Sequence, residues 1–205
     1  MHDRDDNILI ELATHNDLRS LVALHNECFT PAEHLGKLFG KKFIEACYHW
    51  FLTSGQGYIL VARNEKQIVG AICVSDSLYE TSMMRACKKQ MLYGFICRPW
   101  LVFHPSILKR IIWSFKSRTS QTFLQWVQGC AQAAFMMVSG DQRGKGLATR
   151  LQREAIQLSI SRGASGFFSY IKATNIASRR THEKLGFIEV HALASRGFVC
   201  MRKEF

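Results

Sequence analysis

One loop in the C-terminal third of the chain combines glycines and basic side chains in a way that suits phosphate binding. Residues 139–148 read Ser-Gly-Asp-Gln-Arg-Gly-Lys-Gly-Leu-Ala and lie between a predicted strand and a predicted helix. Backbone N–H groups at a helix N-terminus lack intrahelical partners and carry a partial positive charge, so they bind phosphate oxygens. Gly144 and Gly146 let the backbone come close to a ligand, while Arg143 and Lys145 add positive charge. The loop is therefore predicted to bind a phosphorylated ligand.

The glycine spacing excludes two common nucleotide-binding loops. A kinase-type P-loop has four residues between its glycines, followed by Gly-Lys-Ser/Thr. Here three residues separate Gly140 from Gly144, and Gly146 follows Lys145. The dinucleotide fingerprint Gly-x-Gly-x-x-Gly is also absent. The alternative for this loop is a glycine-rich turn that does no more than begin an amphipathic helix.

Two segments together resemble one known family. Residues 143–148, Arg-Gly-Lys-Gly-Leu-Ala, match the Arg/Gln-x-x-Gly-x-Gly/Ala signature with which the GNAT superfamily of N-acetyltransferases holds the coenzyme A pyrophosphate. Residues 175–187 resemble the second signature of the family, an Asn followed by a helix that ends Tyr-Glu-Lys-Leu-Gly-Phe. The predicted elements before the first signature also follow the family order. The segment after Val74 is not accounted for by the resemblance.

Apolar periodicity predicts one α/β domain over residues 1–205. The predicted strands are 8–12, 58–62, 68–74, 131–138, 167–171, 187–190 and 198–201, and the predicted helices are 18–25, 41–51, 147–161 and 177–185. The resemblance implies a mixed, mostly antiparallel sheet of six or seven strands flanked by helices. Residues 77–129 are predicted to be a helical insertion after the third strand, with one helix over 106–115.

The resemblance also implies a reaction and a set of binding residues. An acetyl or other short acyl group would pass from acyl-CoA to an amine by direct attack in a ternary complex, without a metal or a covalent enzyme intermediate. Backbone N–H groups where the first signature strand splays would polarise the thioester carbonyl. The coenzyme-binding residues it implies are Met137, Val138, Arg143, Gly144, Lys145, Gly146, Leu147, Ala148 and Asn175.

The proton donor for the departing thiolate differs from that of many relatives. Those relatives use a tyrosine in the second signature, and His182 occupies that position here. Histidine can donate a proton near neutral pH, so His182 is either the donor or a structural spacer. Tyr170, on the preceding predicted strand, is the reserve candidate, with a core tyrosine as the alternative.

The general base has several candidates. Relatives often carry a glutamate on the signature strand, but residues 128–135 contain none. The candidates in nearby loops are Glu27, Glu33, His34, Asp76 and Glu80, and an ordered water is a further alternative. Glu33 is preferred, because the loop at 30–34 lies where the family often builds its acceptor site.

Charge is concentrated in the predicted insertion. The chain has a net charge of +11, yet no Asp or Glu occurs between Glu80 and Asp141. Such a block favours an anionic partner. The insertion is interpreted as extra core with a solvated basic face, as a lid over the acceptor, or as a surface for peripheral membrane contact. Nucleic-acid binding is not predicted, because no motif that reads bases accompanies the charge.

The remaining features predict a cytoplasmic enzyme. The seven cysteines form no CxxC pair or zinc-like cluster, the first residues are acidic and polar, and no run of eighteen apolar residues occurs. The predicted function is acetylation of a primary amine of a small molecule, with an amino sugar or a biosynthetic intermediate as the acceptor. The alternatives are a protein or peptide N-acetyltransferase and a non-catalytic acyl-CoA-binding module. A homodimer is one arrangement consistent with this prediction.

Overall fold

Seven strands form one mixed sheet in the residues that the computed structural model describes, which are 8–31, 33–105, 107–108, 125–190 and 197–205. The strands are β1 (Ile8–Leu12), β2 (Gly57–Asn64), β3 (Gln67–Ser75), β4 (Cys130–Val138), β5 (Gly166–Lys172), β6 (Ile188–Glu189) and β7 (Phe198–Glu204). The α-helices in these residues include α1 (Leu18–Cys28), α2 (Lys41–Thr53), α3 (Glu80–Ala86), α4 (Lys88–Cys97), α5 (Leu147–Ser161) and α6 (Ile176–Lys184).

The strand order is β1-β2-β3-β4-β5-β7-β6, and β4 with β5 is the parallel pair among otherwise antiparallel neighbours. A parallel pair needs a crossover long enough for a helix, and α5 provides it between β4 and β5. The predicted mixed, mostly antiparallel sheet with flanking helices is thereby confirmed.

Helices cover both faces of this sheet because successive strand residues point to opposite sides. On β3, Ala71 and Cys73 pack in one apolar cluster with the buried side chains of α1 and α2. Ile72 and Val74 instead pack in a second cluster with the buried side chains of α5. The continuous apolar run of β3 is therefore explained by burial on both faces.

The predicted insertion follows β3. Its described part contains α3, α4 and a short 3-10 helix at Pro99–Phe103. The helix predicted over 106–115 falls largely outside the described residues, and a single domain over 1–205 stays a prediction. Within the described ranges, no helix has both the length and the apolar character to cross a bilayer.

Candidate functional site

The candidate site begins where β4 and β5 separate. The two strands pair over only four positions, from Cys130 opposite Gly166 to Ala133 opposite Ser169, although both strands continue beyond. The β3–β4 register shifts at this point, because β4 passes Ala134 as an extra residue. Such a bulge bends its strand. Among the described residues, the edge of β4 that faces β5 has no strand partner over 134–138. We call the resulting opening the β4–β5 cleft.

The glycine-rich loop stands at the end of the same strand. Gly144 and Gly146 have φ angles of 80° and 85°, in the left-handed region that glycine adopts without steric cost. Gly146 is the N-cap of α5 and supplies no capping side chain. The side chain of Leu147 is buried in the core, whereas Arg143 and Lys145 are exposed. The first turn of α5 thus has N–H groups without a capping side chain, and two exposed cationic residues precede it, which suits an anion.

The end of β4 is held by groups from α1 and from the loop. The Val138 carbonyl accepts hydrogen bonds from Cys28 Sγ at 3.3 Å and from Arg143 Nε at 3.2 Å. Burial raises the pKa of the Cys28 thiol, so this cysteine stays protonated and is a weak nucleophile. Met137 turns its side chain into the core, where its sulfur accepts a hydrogen bond from the Tyr48 hydroxyl at 3.2 Å. The Met137 side chain is therefore not available to a ligand.

Asn175 is exposed and caps α6. Its Oδ1 accepts a hydrogen bond from the Ser178 backbone N–H at 3.1 Å. This contact explains the asparagine at the start of the second signature, because N-cap side chains satisfy an otherwise unpaired donor. Its predicted contact with the coenzyme stays a prediction.

His182 lies in the core at the other end of α6. It is 3% exposed, and its Nδ1 and Nε2 lie 2.8 Å from the Ser178 carbonyl and 2.6 Å from Ser169 Oγ. The backbone N–H groups of Gly186 and Phe187 donate hydrogen bonds to the carbonyls of Glu183 and His182, respectively, which is a Schellman motif. The rings of His182 and Phe187 pack with their centroids 4.8 Å apart. This environment favours a structural role over that of proton donor.

Tyr170 is the first β5 residue beyond the pairing with β4. It is half-buried and packs beside Phe168, at 6.2 Å between ring centroids. Burial raises the pKa of the phenol, as do the nearby Cys200 and Glu80. A phenol that stays protonated at the cleft edge can supply a proton.

Glu33 has its carboxylate committed to a local turn. It accepts hydrogen bonds from Thr30 N at 2.7 Å and Thr30 Oγ1 at 2.8 Å. These bonds lower the pKa of Glu33, and the charges of Lys172 and Arg143 lower it further. The carboxylate is therefore a weak base. The same charges show that the loop after α1 lies near both the end of β5 and the glycine-rich loop.

The other sequence candidates for the base are held differently. Asp76 binds Arg162 through both oxygens, at 2.9 and 2.5 Å, which neutralises it. Glu27 accepts a hydrogen bond from the Gly140 backbone at 3.3 Å. Glu80 accepts one from Gln132 Nε2 at 3.1 Å, on the face of the sheet that carries Tyr170.

His34 packs on β4 next to the point where the cleft begins. Its ring packs 4.8 Å from that of Phe135, the β4 residue next to the bulge. Its Nδ1 lies 2.9 Å from Nε2 of His25, which is 1% exposed. No sequence pattern indicates this contact, because His25 lies on the buried stripe of an amphipathic helix. Within the described residues, no group of three or more His, Cys, Asp or Glu side chains is placed to hold a metal ion.

Comparisons with known proteins agree with this geometry. A model of the acetyltransferase (GNAT) family matches residues 18–187. PaiA N-acetyltransferase from Thermoplasma acidophilum, solved in complex with coenzyme A, superposes with a TM-score of 0.62 at 12% identity, covering 97% of this chain and 99% of that one. The ribosomal-protein-alanine N-acetyltransferase of Brucella melitensis gives 0.58 at 19% identity, covering 96% and 99%. An N-acetyltransferase of Staphylococcus aureus Mu50 gives 0.59 at 14% identity, covering 97% and 99%.

At these identities the structural likeness shows the fold alone. A comparison with curated protein sequences finds no match.

A charge-matched pair of variants tests the glycine-rich loop. Asn and Asp have the same shape, tolerate left-handed backbone and cap helices, so Gly146→Asn and Gly146→Asp differ mainly in charge. We expect the Asp variant to bind acetyl-CoA at least about tenfold more weakly than the Asn variant, because a carboxylate repels the pyrophosphate. Calorimetric titration measures the affinities, and thermal unfolding checks that both variants are folded. Equal affinities would show that no phosphate lies at this helix end.

A second variant tests the burial of His182. Burial lowers the pKa of His182 below its ordinary value of 6.5. As the pH falls below 6.5, the unfolded chain binds a proton that the folded protein does not, so the wild type loses stability. His182→Gln does not titrate. We therefore expect the unfolding free energy of the wild type, relative to the variant, to fall by about 1–2 kcal/mol from pH 7 to pH 5.

Urea unfolding at the two pH values measures this difference. A gap that stays constant would show that folding does not lower the pKa of His182. A large loss of turnover in the folded variant at pH 7 would instead support the role of proton donor.

Proposed function

The chain belongs to the acetyltransferase (GNAT) family and is an acyl-CoA-dependent N-acetyltransferase, and we propose that its acceptor is the primary amine of a small molecule. An amino sugar or an amino-bearing biosynthetic intermediate is the class we favour. The observation that carries the proposal is the cleft between β4 and β5, which opens directly beside the uncapped N-terminus of α5.

The residues around the cleft fit a coenzyme A thioester. The N–H groups at the start of α5, with Arg143 and Lys145, would hold the pyrophosphate. The unpaired edge of β4 would pair with the amide-bearing arm of the coenzyme, as one strand pairs with another. Backbone N–H groups of the same edge would stabilise negative charge on the thioester oxygen during attack.

Polar groups on β4 and α3, next to the start of the cleft, suit an amine. Gln132 is 3% exposed, and its Nε2 donates to Glu80. Its Oε1 is buried and accepts no hydrogen bond from the described residues. A buried acceptor of this kind usually has a partner. The N–H groups of an amine acceptor would supply one, and Glu80 would attract the positive charge of the amine in its ammonium form.

Direct attack on the thioester is supported by the state of Cys28. This half-buried thiol contacts the Val138 carbonyl, but its raised pKa disfavours the thiolate that an acyl-enzyme would need. The amine and the acyl-CoA would therefore have to be bound at the same time.

Transfer assays test both the acceptor and the order of events. We expect acetylation of small primary amines, intersecting initial-velocity lines when both substrates are varied, and turnover in Cys28→Ser within about threefold of wild type. A matched panel of peptides with free N-termini and internal lysines serves as the comparison.

Three outcomes would contradict the proposal. Transfer to peptides alone would favour a protein N-acetyltransferase. Parallel velocity lines, with loss of turnover in Cys28→Ser, would indicate an acyl-enzyme. Tight binding of acetyl-CoA without transfer to any amine would indicate a binding module.

The helices after β3 offer an apolar and basic surface. Exposed apolar side chains at helical spacing on α4 are followed by others on the 3-10 helix Pro99–Phe103. On that helix Trp100 and Phe103 lie on the same side and are 63% and 78% exposed. The α4 members of this surface are Leu92, Tyr93 and Ile96. Lys88 and Lys89 are exposed at the start of α4. We propose that this surface contacts anionic membranes, because aromatic side chains beside lysines suit the interface of such a bilayer.

Vesicle sedimentation tests membrane contact. At low salt we expect binding to vesicles that contain phosphatidylserine, and several-fold weaker binding after the double change Trp100→Ser and Phe103→Ser. Ile188→Ser is the matched control, because Ile188 is 63% exposed but lies on the edge strand β6. Equal binding by the double variant and the control, or no binding at all, would remove this surface as a membrane contact.

A further inference from the structure

Four side chains form a continuous chain of hydrogen bonds behind the cleft. His34 Nδ1 lies 2.9 Å from His25 Nε2, and His25 Nδ1 lies 2.7 Å from the Tyr48 hydroxyl. The Tyr48 hydroxyl lies 3.2 Å from the sulfur of Met137 on β4. His25 and Tyr48 are each 1% exposed, whereas His34 is half-buried at the outer end. The chain thus runs from the core to the loop that borders the cleft.

The outer end of the chain lies beside the part of β4 where the cleft begins. The His34 ring packs on Phe135, next to the bulge at which β4 leaves β5. The charges of Lys172, at the end of β5, and of Arg143, in the glycine-rich loop, lower the pKa of the adjacent Glu33 carboxylate. Gly36 leaves the room that the ring needs, because a Cβ there would lie 2.8 Å from Cε1 of His34.

The direction of the protons follows from the inner end. A thioether has no proton to donate, so the Tyr48 hydroxyl donates to Met137. Tyr48 then accepts from His25 Nδ1–H, which leaves His25 Nε2 to accept from His34 Nδ1–H. In this arrangement the lone pair of His34 is on Nε2. Burial, followed by the charges of His34 and Lys37, lowers the pKa of His25 to about 3, so a proton gained by the chain stays on His34.

We propose that His34 is the general base of the acetyl transfer, with His25 and Tyr48 as the residues that position it and fix its tautomer. The proposal rests on the proposed acetylation of an amine. As the amine nitrogen bonds to the thioester carbon, the carbon–sulfur bond breaks and the sulfur leaves with the electron pair. The proton lost by the nitrogen moves to His34 Nε2, which later returns it to solvent, while the thiolate takes a proton from solvent.

The competing bases are less suited. Glu33 and Asp76 are committed to Thr30 and Arg162. Glu80 is the main alternative, because it lies on the same face of the sheet and accepts a single hydrogen bond, from Gln132, within the described residues. The titratable groups that face His25 are His34 and Lys37, and those that face Tyr48 are Cys73, Cys47 and Cys28.

A set of three variants separates these assignments. His34→Gln removes the base, Tyr48→Phe removes only the inner hydroxyl, and Glu80→Gln removes the rival carboxylate without changing its size. We expect His34→Gln to lower kcat at least about a hundredfold and to abolish the acid limb of its pH profile. We expect Tyr48→Phe to shift that limb and lower kcat about tenfold, and Glu80→Gln to keep the limb.

Acetyl-CoA affinity, measured by calorimetry, is expected to stay within about threefold of wild type in all three variants, which excludes misfolding as the cause of a lower rate. Turnover within about threefold of wild type in His34→Gln would overturn the proposal, as would loss of the acid limb in Glu80→Gln alone. Failure of the proposed function looks different, because the wild type itself would then acetylate no amine.

Discussion

The structure depends on one constraint in the sheet, which is that β4 pairs with β3 along its length but leaves β5 after Ala133. Unpaired backbone groups inside a protein cost free energy unless they find another partner. We infer that the open edge of β4 is a binding surface, which the surrounding elements must leave accessible. The bulge at Ala134, the crossover through α5 and the open N-terminus of that helix all lie around this edge. A thioester with an amide-bearing arm and a pyrophosphate matches both the edge and the helix end.

The features that were predictable from the sequence are those that local chemistry dictates. Gly146 has a left-handed backbone and the Leu147 side chain is buried in the core. The residue types at these positions therefore indicate the conformation of the loop. The helix 147–161 and the strand 8–12 were predicted at their observed bounds, because apolar spacing alone defines them. The last two strands differ from their predicted bounds. Of the strand predicted at 187–190, only Ile188–Glu189 is observed. The N–H of Phe187 bonds to the His182 carbonyl at the end of α6, and the N–H of Val190 bonds to the Cys200 carbonyl just after the strand ends.

The roles of individual side chains depend on contacts between distant parts of the chain. His182 aligns with the tyrosine of many relatives, yet it is buried between Ser169 and Ser178 as part of a helix ending. Glu33 lies in the expected loop, but local hydrogen bonds occupy its carboxylate. The neighbouring His34 is oriented by its hydrogen bond to His25 on α1. His25 is oriented in turn by its hydrogen bond to Tyr48 on α2. The spacing of residues in the sequence does not indicate such a chain of hydrogen bonds, because it forms only after α1 and α2 have packed on β4.

Hydrogen exchange with and without acetyl-CoA tests the central claim, that the open edge of β4 and the start of α5 hold the coenzyme. We predict slower exchange of backbone amides at Val138 and residues 144–149 when acetyl-CoA is added, with no change in β1 and β2 at the far side of the sheet. Unchanged exchange in these segments under saturating acetyl-CoA, or protection confined to another region, would contradict it.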